Sequence, residues 1–166
     1  MRGTTLKYAE AQMLIRKPVA EVFKAFVDPG TTKKFWFTRG SGKLEIGKSV
    51  TWEWEMYNTT WTVTAKQILE NKKIILDESP SPTTIEFDFK ALSDNSTYVS
   101  VKQYGFTETG DELLEKIKGA TGGWTTVLDG AKIFLEHGIN PNFVADKFPR
   151  EVTRHGHEHT ANDNKE

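Results

Sequence analysis

Between residues 42 and 106 the apolar side chains keep a period of two, and between residues 111 and 137 they recur every three or four positions. The first spacing belongs to strands with one buried face, the second to an amphipathic helix. A chain that segregates the two patterns buries both by laying the helix on the sheet. In residues 49–57 (SVTWEWEMY), Val50, Trp52, Trp54 and Met56 share one face, opposite Thr51, Glu53 and Glu55. Residues 60–69 place Trp61, Val63 and Ala65 inward and lose the pattern near Gln67, where a bulge is expected. Residues 43–46 and 73–77 read as short strands. Residues 84–91 set Ile85, Phe87 and Phe89 against Glu86, Asp88 and Lys90, and residues 97–106 align Val99, Val101 and Gln103. Most of the connections are short turns, as in an antiparallel meander. Ser79-Pro80-Ser81-Pro82 is a link, because proline cannot donate to a central ladder.

Upstream, residues 9–16 supply another strand. Pro18 suits the first turn of a helix over residues 19–27, with Val22, Phe23 and Phe26 on one stripe. Asp28-Pro29-Gly30 ends it, and a short turn or helix (TTKKFWF) carries Lys33, Lys34, Phe35, Trp36 and Phe37 before a loop at residues 39–42. The closing helix has a stripe of Leu113 or Leu114, Ile117, Ala120, Trp124, Leu128, Ala131 and Leu135. Gly119, Gly122, Gly123 and Gly130 each weaken it by up to ~1 kcal/mol, in keeping with a kink or break near Gly122-Gly123. Gly138 and Pro141 stop it. The expected fold is α+β: a curved antiparallel sheet of about six or seven strands around a long C-terminal helix. Two short helices after the first strand are expected to form a lid over unfilled space at one end. Residues 1–148 form the domain; residues 149–166 are polar, without periodicity, and read as a disordered tail.

Charge excludes several partners. Twenty-two basic against twenty-three acidic residues leave a net charge of -1, with no long-range pull toward nucleic acid or anionic lipid. No window reaches the ~20 apolar residues of a membrane span, and the N-terminus lacks a secretory apolar run. The absence of cysteine excludes disulfides and thiolate zinc sites and accords with a cytoplasmic protein.

Four stretches resemble one family: P-V-A-E-V-F-K-A-F at 18–26, F-W-F at 35–37, Gly47 before a strand, and G-W-T-T-V-L-D-G-A-K-I-F-L-E-H-G at 123–138. They are similar to the activator-of-heat-shock-ATPase-homologue (AHSA-type) group of the START-like, polyketide-cyclase-like (SRPBCC) superfamily. The resemblance covers residues 8–139; Lys48 departs from it, standing where many relatives carry a second glycine. It implies the helix-grip fold of the birch pollen allergen, with an apolar cavity between sheet and long helix. It does not imply one activity.

The inward rings Trp52, Trp54, Trp61, Phe87, Phe89 and Trp124, with Trp36 and Leu128, are the expected ligand-lining set; each alone is equally good core. A dry void costs about 24 cal/mol per Å³, so a small, partly filled cavity is expected rather than a large empty one. Gln103, polar on an inward face, needs a partner and is a candidate to orient a ligand's polar group; Gln67 is a less well-placed second. Catalytic candidates are lacking. Glu53, Glu55, Glu86 and Asp88 alternate outward, with Glu53 and Glu55 expected to pair Lys66 or Lys102. His137 complements the helix dipole. His155, His157 and His159 read as an adventitious metal binder, so no metal and no cofactor is assigned. Lys33, Lys34 and Arg39 form a basic cluster near the lid, solvated or steering a carboxylated ligand.

The primary expectation is therefore a non-catalytic protein that binds a small hydrophobic or amphipathic molecule. An alternative is a protein-interaction or stress-response module resembling chaperone ATPase activators, with a protein partner. The eukaryotic activators carry a further N-terminal domain that the few residues before the first strand do not supply, so full co-chaperone action is not expected. A cyclase- or hydrolase-like enzyme ranks third.

Overall fold

Pairing is antiparallel throughout a seven-stranded sheet of order β1-β7-β6-β5-β4-β3-β2. The computed structural model describes residues 6–149 and 151–152. Its elements are β1 (Tyr8–Ile15), α1 (Val19–Val27), α2 (Pro29–Thr32), β2 (Arg39–Gly40), β3 (Ser49–Trp54), β4 (Thr59–Leu69), β5 (Lys73–Ser79), β6 (Thr84–Ser93), β7 (Ser96–Tyr104), α3 (Gly110–His137) and α4 (Phe143–Lys147). From β2 to β7 the strands form a meander in chain order. β1 returns to the far edge, pairing Tyr8 to Ile15 with Tyr104 to Thr97. The curled sheet grips α3, making this the expected α+β helix-grip architecture.

Register explains the shared inner face. Trp52 lies opposite Trp61, Phe87 opposite Val101, and Ile85 opposite both Leu76 and Gln103. The expected bulge falls between Ala65 and Gln67. Its extra residue rephases β4, so that Ile68 rather than Gln67 faces the core; Gln67 is exposed. That removes Gln67 as a candidate for orienting a ligand.

Several local expectations need correction. Residues 43–46 are not a strand. Leu44 is buried but donates its N–H to the Val27 carbonyl, and Ile46 is exposed, with an isolated parallel bridge to Ala65. The pairing with β3 instead occurs at Arg39 and Gly40, expected as loop, opposite Glu53 and Trp52. A Cβ at Gly40 would lie 2.9 Å from the Pro29 Cβ, so glycine permits that approach. The strand expected over residues 49–57 ends at Trp54; Glu55–Tyr57 forms a 3-10 turn closed by Asn58 at φ 53°. α3 runs unbroken through Gly122-Gly123, and the Thr126 hydroxyl donates to the Gly122 carbonyl across that turn. The glycine cost is small enough for the helix to absorb. The tail expectation, with His155, His157 and His159, lies outside the described residues apart from 149, 151 and 152. No helix among the described residues is long and apolar enough to cross a membrane.

The outer face carries charge pairs, though not the expected ones. Arg39 bonds Glu53 at 3.2 Å and Glu55 at 2.5 Å, while Lys66 pairs with Asp77. Lys73 reaches Glu86 and Asp88, each at 2.7 Å. Its hydrogen bond holds the Glu86 carboxyl below the usual range, and Asp88, then Glu86, raise the Lys73 ammonium above its own. The depressed carboxyl stabilises above the unfolded glutamate pKa and loses that contribution as pH falls through its folded value. The raised ammonium contributes below the unfolded lysine pKa and is lost as pH rises through its folded value. The window is therefore about pH 5 to 10. Lys73→Met should cost about 0.5–1 kcal/mol at pH 7 and less at pH 3, read from urea melts. A pH-independent loss would contradict the pairing.

Candidate functional site

All five tryptophans meet in one cluster. Trp36 is its hub, with ring centroids 4.7 Å from Trp52, 5.1 Å from Trp124, 6.1 Å from Trp54 and 6.4 Å from Trp61. Trp124 also meets Phe87 edge-on at 5.7 Å and is 3% exposed. Such offset and edge-on pairs add about 0.5–1.5 kcal/mol each beyond burial. The indole of α3 and the rings of the hairpins thus converge on one interior.

Beside that cluster lies an open cleft of about 810 Å³. It forms where α3 is least buried. Val127, Leu128, Gly130 and Ala131 are buried, and Gly130 passes so close to Phe35 that an added Cβ would sit 3.3 Å from its carbonyl oxygen. Before Trp124 no residue of α3 is fully buried. That half of the helix stands off the sheet, and the space between is the cleft. The expected small, partly filled cavity is corrected: the space is large, and because it is open to water it carries no dry-void penalty.

Five expected site residues, Trp36, Trp54, Trp61, Gln103 and Trp124, line this cleft. Trp52, Phe87, Phe89 and Leu128 lie behind them in the core. Of the two short elements expected as a lid, residues 31–37 bring Trp36 to the cleft, but no residue of α1 or α2 lines it; Phe23 and Phe26 pack on Phe89 and Phe87 at 5.1 and 5.2 Å and fill their end of the sheet. The mouth instead carries α4, which the sequence pattern did not reveal. Val144 and Lys147 line the cleft, and the Tyr57 hydroxyl, whose pKa burial raises, donates to the Val144 carbonyl at 2.5 Å. Lys33, Lys34 and Arg39 are absent from the lining; its cations are Lys116, Lys118 and Lys147.

The polar end is a chain of side-chain hydrogen bonds. The Trp124 indole N–H donates to Gln103 Oε1 at 2.9 Å. Gln103 Nε2 donates to Thr83 Oγ1 at 3.0 Å, and the Thr83 hydroxyl donates to Glu78 Oε1 at 2.5 Å. Gln103 is therefore partnered by two side chains. Glu78 is a carboxylate on the inner face that the expected strand over residues 73–77 did not reach. β5 runs two residues past its expected end, and Glu78 continues the inward row of Ile74 and Leu76. Extending that alternation up to Pro80 would have found it.

A twisted antiparallel sheet gripping one long helix, with a ring-lined cleft between them, defines a helix-grip domain. The chain belongs to the family described as Activator of Hsp90 ATPase homolog 1-like protein, whose match spans residues 16–136. Solved structures agree on the fold. The Staphylococcus saprophyticus protein SSP2350 is 25% identical, with 81% of this chain and 95% of that one covered at a TM-score of 0.70. The Aha1 dimer of Colwellia psychrerythraea is 17% identical, with 80% and 98% covered at a TM-score of 0.69. PFC0360w, an HSP90 activator from Plasmodium falciparum, is 18% identical, with 79% and 96% covered at a TM-score of 0.61. No curated protein matches the sequence.

Proposed function

We propose that this protein binds a small hydrophobic or amphipathic molecule in the cleft, in the cytoplasm and without turnover. Trp36, Trp54, Trp61 and Trp124 contact the apolar body, Gln103 holds the polar wall, and Trp52, Phe87, Phe89 and Leu128 support them from behind. One observation carries the reading. Gly119 and Gly123 line the cleft with φ in the ordinary helical range, and a Cβ at either would meet nothing within 4 Å. Packing does not require glycine there, yet each costs about 1 kcal/mol against alanine. The missing side chains keep room for something that is not part of the chain.

Gly123→Ala should therefore stabilise the free protein by up to about 1 kcal/mol, raising Tm by about 2–4 °C, while weakening ligand binding. Calorimetry with and without ligand reads both. A stabilised variant that binds as tightly as the parent would remove the argument. More broadly, a panel of lipids, sterols and polyphenols should include a compound that quenches tryptophan fluorescence saturably. Signals unmoved by the whole panel overturn the reading.

Family membership favours a second reading, a protein-interaction module that acts on a chaperone ATPase in a stress response. Stimulation of Hsp90 ATPase by the purified protein tests it; no retention on the chaperone and no stimulation dismiss it.

A further inference from the structure

We infer that the molecule taken by the cleft is a cationic amphiphile, whose protonated amine meets Glu78 while a flat apolar body lies against the indoles. This rests on the binding reading above and names its ligand class. The polarity of the hydrogen-bond chain decides it. An indole nitrogen can only donate, and an ionised carboxylate can only accept. With Trp124 at one end and Glu78 at the other, the Gln103 amide has one possible orientation, oxygen to Trp124 and nitrogen to Thr83. Thr83 has a single hydroxyl proton, and it goes to Glu78. Ser81 Oγ, 3.3 Å from Thr83 Oγ1, must then donate inward as well.

Apart from the second N–H of Gln103 Nε2, the donors of this wall are thus consumed within the chain, and what remains for an occupant is chiefly acceptor capacity on Glu78 and Ser81, both of which line the cleft. A ligand with only acceptors would leave those atoms unpaired. Charge sharpens the choice from a donor to a cation. Among the described residues no Lys or Arg lies within ion-pair distance of Glu78. At the mouth Lys116 pairs with Glu108 at 3.9 Å, Lys118 pairs with Glu115 at 3.3 Å, and Lys147 sits 5.7 Å from the Phe148 ring. Trp36, Trp54 and Trp61 line the same cleft, and an indole attracts an ammonium that lies over its face.

Three probes sharing one ring system test this: 2-(1-naphthyl)ethylamine, 2-(1-naphthyl)ethanol and 1-naphthylacetate, titrated into the full chain by calorimetry and by indole N–H shifts. The amine should bind about tenfold tighter than the alcohol, with the anion weakest. In Glu78→Gln, checked for a native-like amide spectrum, amine and alcohol should become equal within about twofold, since the charge is lost and one acceptor oxygen becomes an amide donor. An anion binding as well as the amine in the parent protein overturns the ligand class while leaving a binding protein. An unchanged amine preference in Glu78→Gln does the same. Failure of all three to saturate overturns the binding reading, and this inference with it.

Discussion

Trp124→Ala should lower stability by about 3–5 kcal/mol, or roughly 6–20 °C in Tm, through lost packing and a lost hydrogen bond. The residue is the first buried position on α3, the point where the helix meets the sheet. Its ring touches Trp36, Trp61 and Phe87. Its nitrogen serves Gln103, which is itself 7% exposed. Trp124→Phe separates the two roles. The phenyl ring keeps most of the packing, but Gln103 Oε1 is left buried without its donor, at a cost of about 1–3 kcal/mol. Adding Gln103→Met should recover part of that, because removing both partners is milder than removing one. Chemical denaturation of the four proteins checks the cycle. Strict additivity would show that the bond contributes nothing.

Gly105→Ala should be nearly as damaging for a different reason. Gly105 follows β7 at φ 96°, where an L side chain is strained by about 1–3 kcal/mol. An added Cβ would also stand 2.9 Å from the Pro82 carbonyl oxygen, a backbone atom that cannot swing away. Pro82 immediately precedes Thr83, so relief of the clash disturbs the chain of bonds to Glu78. Gly47 supplies the control: its φ is 82°, and a Cβ added there would meet nothing within 4 Å. Gly47→Ala should cost the conformational strain alone. The excess in Gly105→Ala, read from paired melting curves, is the steric contribution. Equal losses in both would mean that the tight crossing at Pro82 relaxes freely.

The fold was legible because two periods occupy separate blocks. Val50, Trp52 and Trp54, then Ile85, Phe87 and Phe89, alternate without error, and Val19–Val27 is a helix between the expected ends. What escaped has physical causes. β2 is two residues held by backbone bonds and a close glycine contact, neither of which leaves a side-chain period. α4 is five residues with no buried side chain, so no stripe marks it. The double glycine weakens a helix locally, but the continuing ladder through 28 residues outweighs that penalty.

The candidate site was legible in its rings and in Gln103. Alternation assigns Trp54, Trp61 and Gln103 to the inner face, yet it cannot say which inner residues reach the cleft and which fill the core behind it. That depends on where α3 departs from the sheet, with Trp124 its first buried residue. Glu78 was obscured by the prolines that follow it. The chain of bonds from Trp124 to Glu78 joins α3, β7, the Pro82 link and β5, and no local spacing encodes it.

The account turns on a cleft in which four indoles face an occupant and one stands behind. The five indole N–H signals in a proton–nitrogen correlation spectrum, followed as 2-(1-naphthyl)ethylamine is added, test this most directly. Trp36, Trp54, Trp61 and Trp124 should shift along one saturating curve while Trp52 moves least. Saturation that spares those four, or shifts centred on residues remote from the cleft, would contradict it.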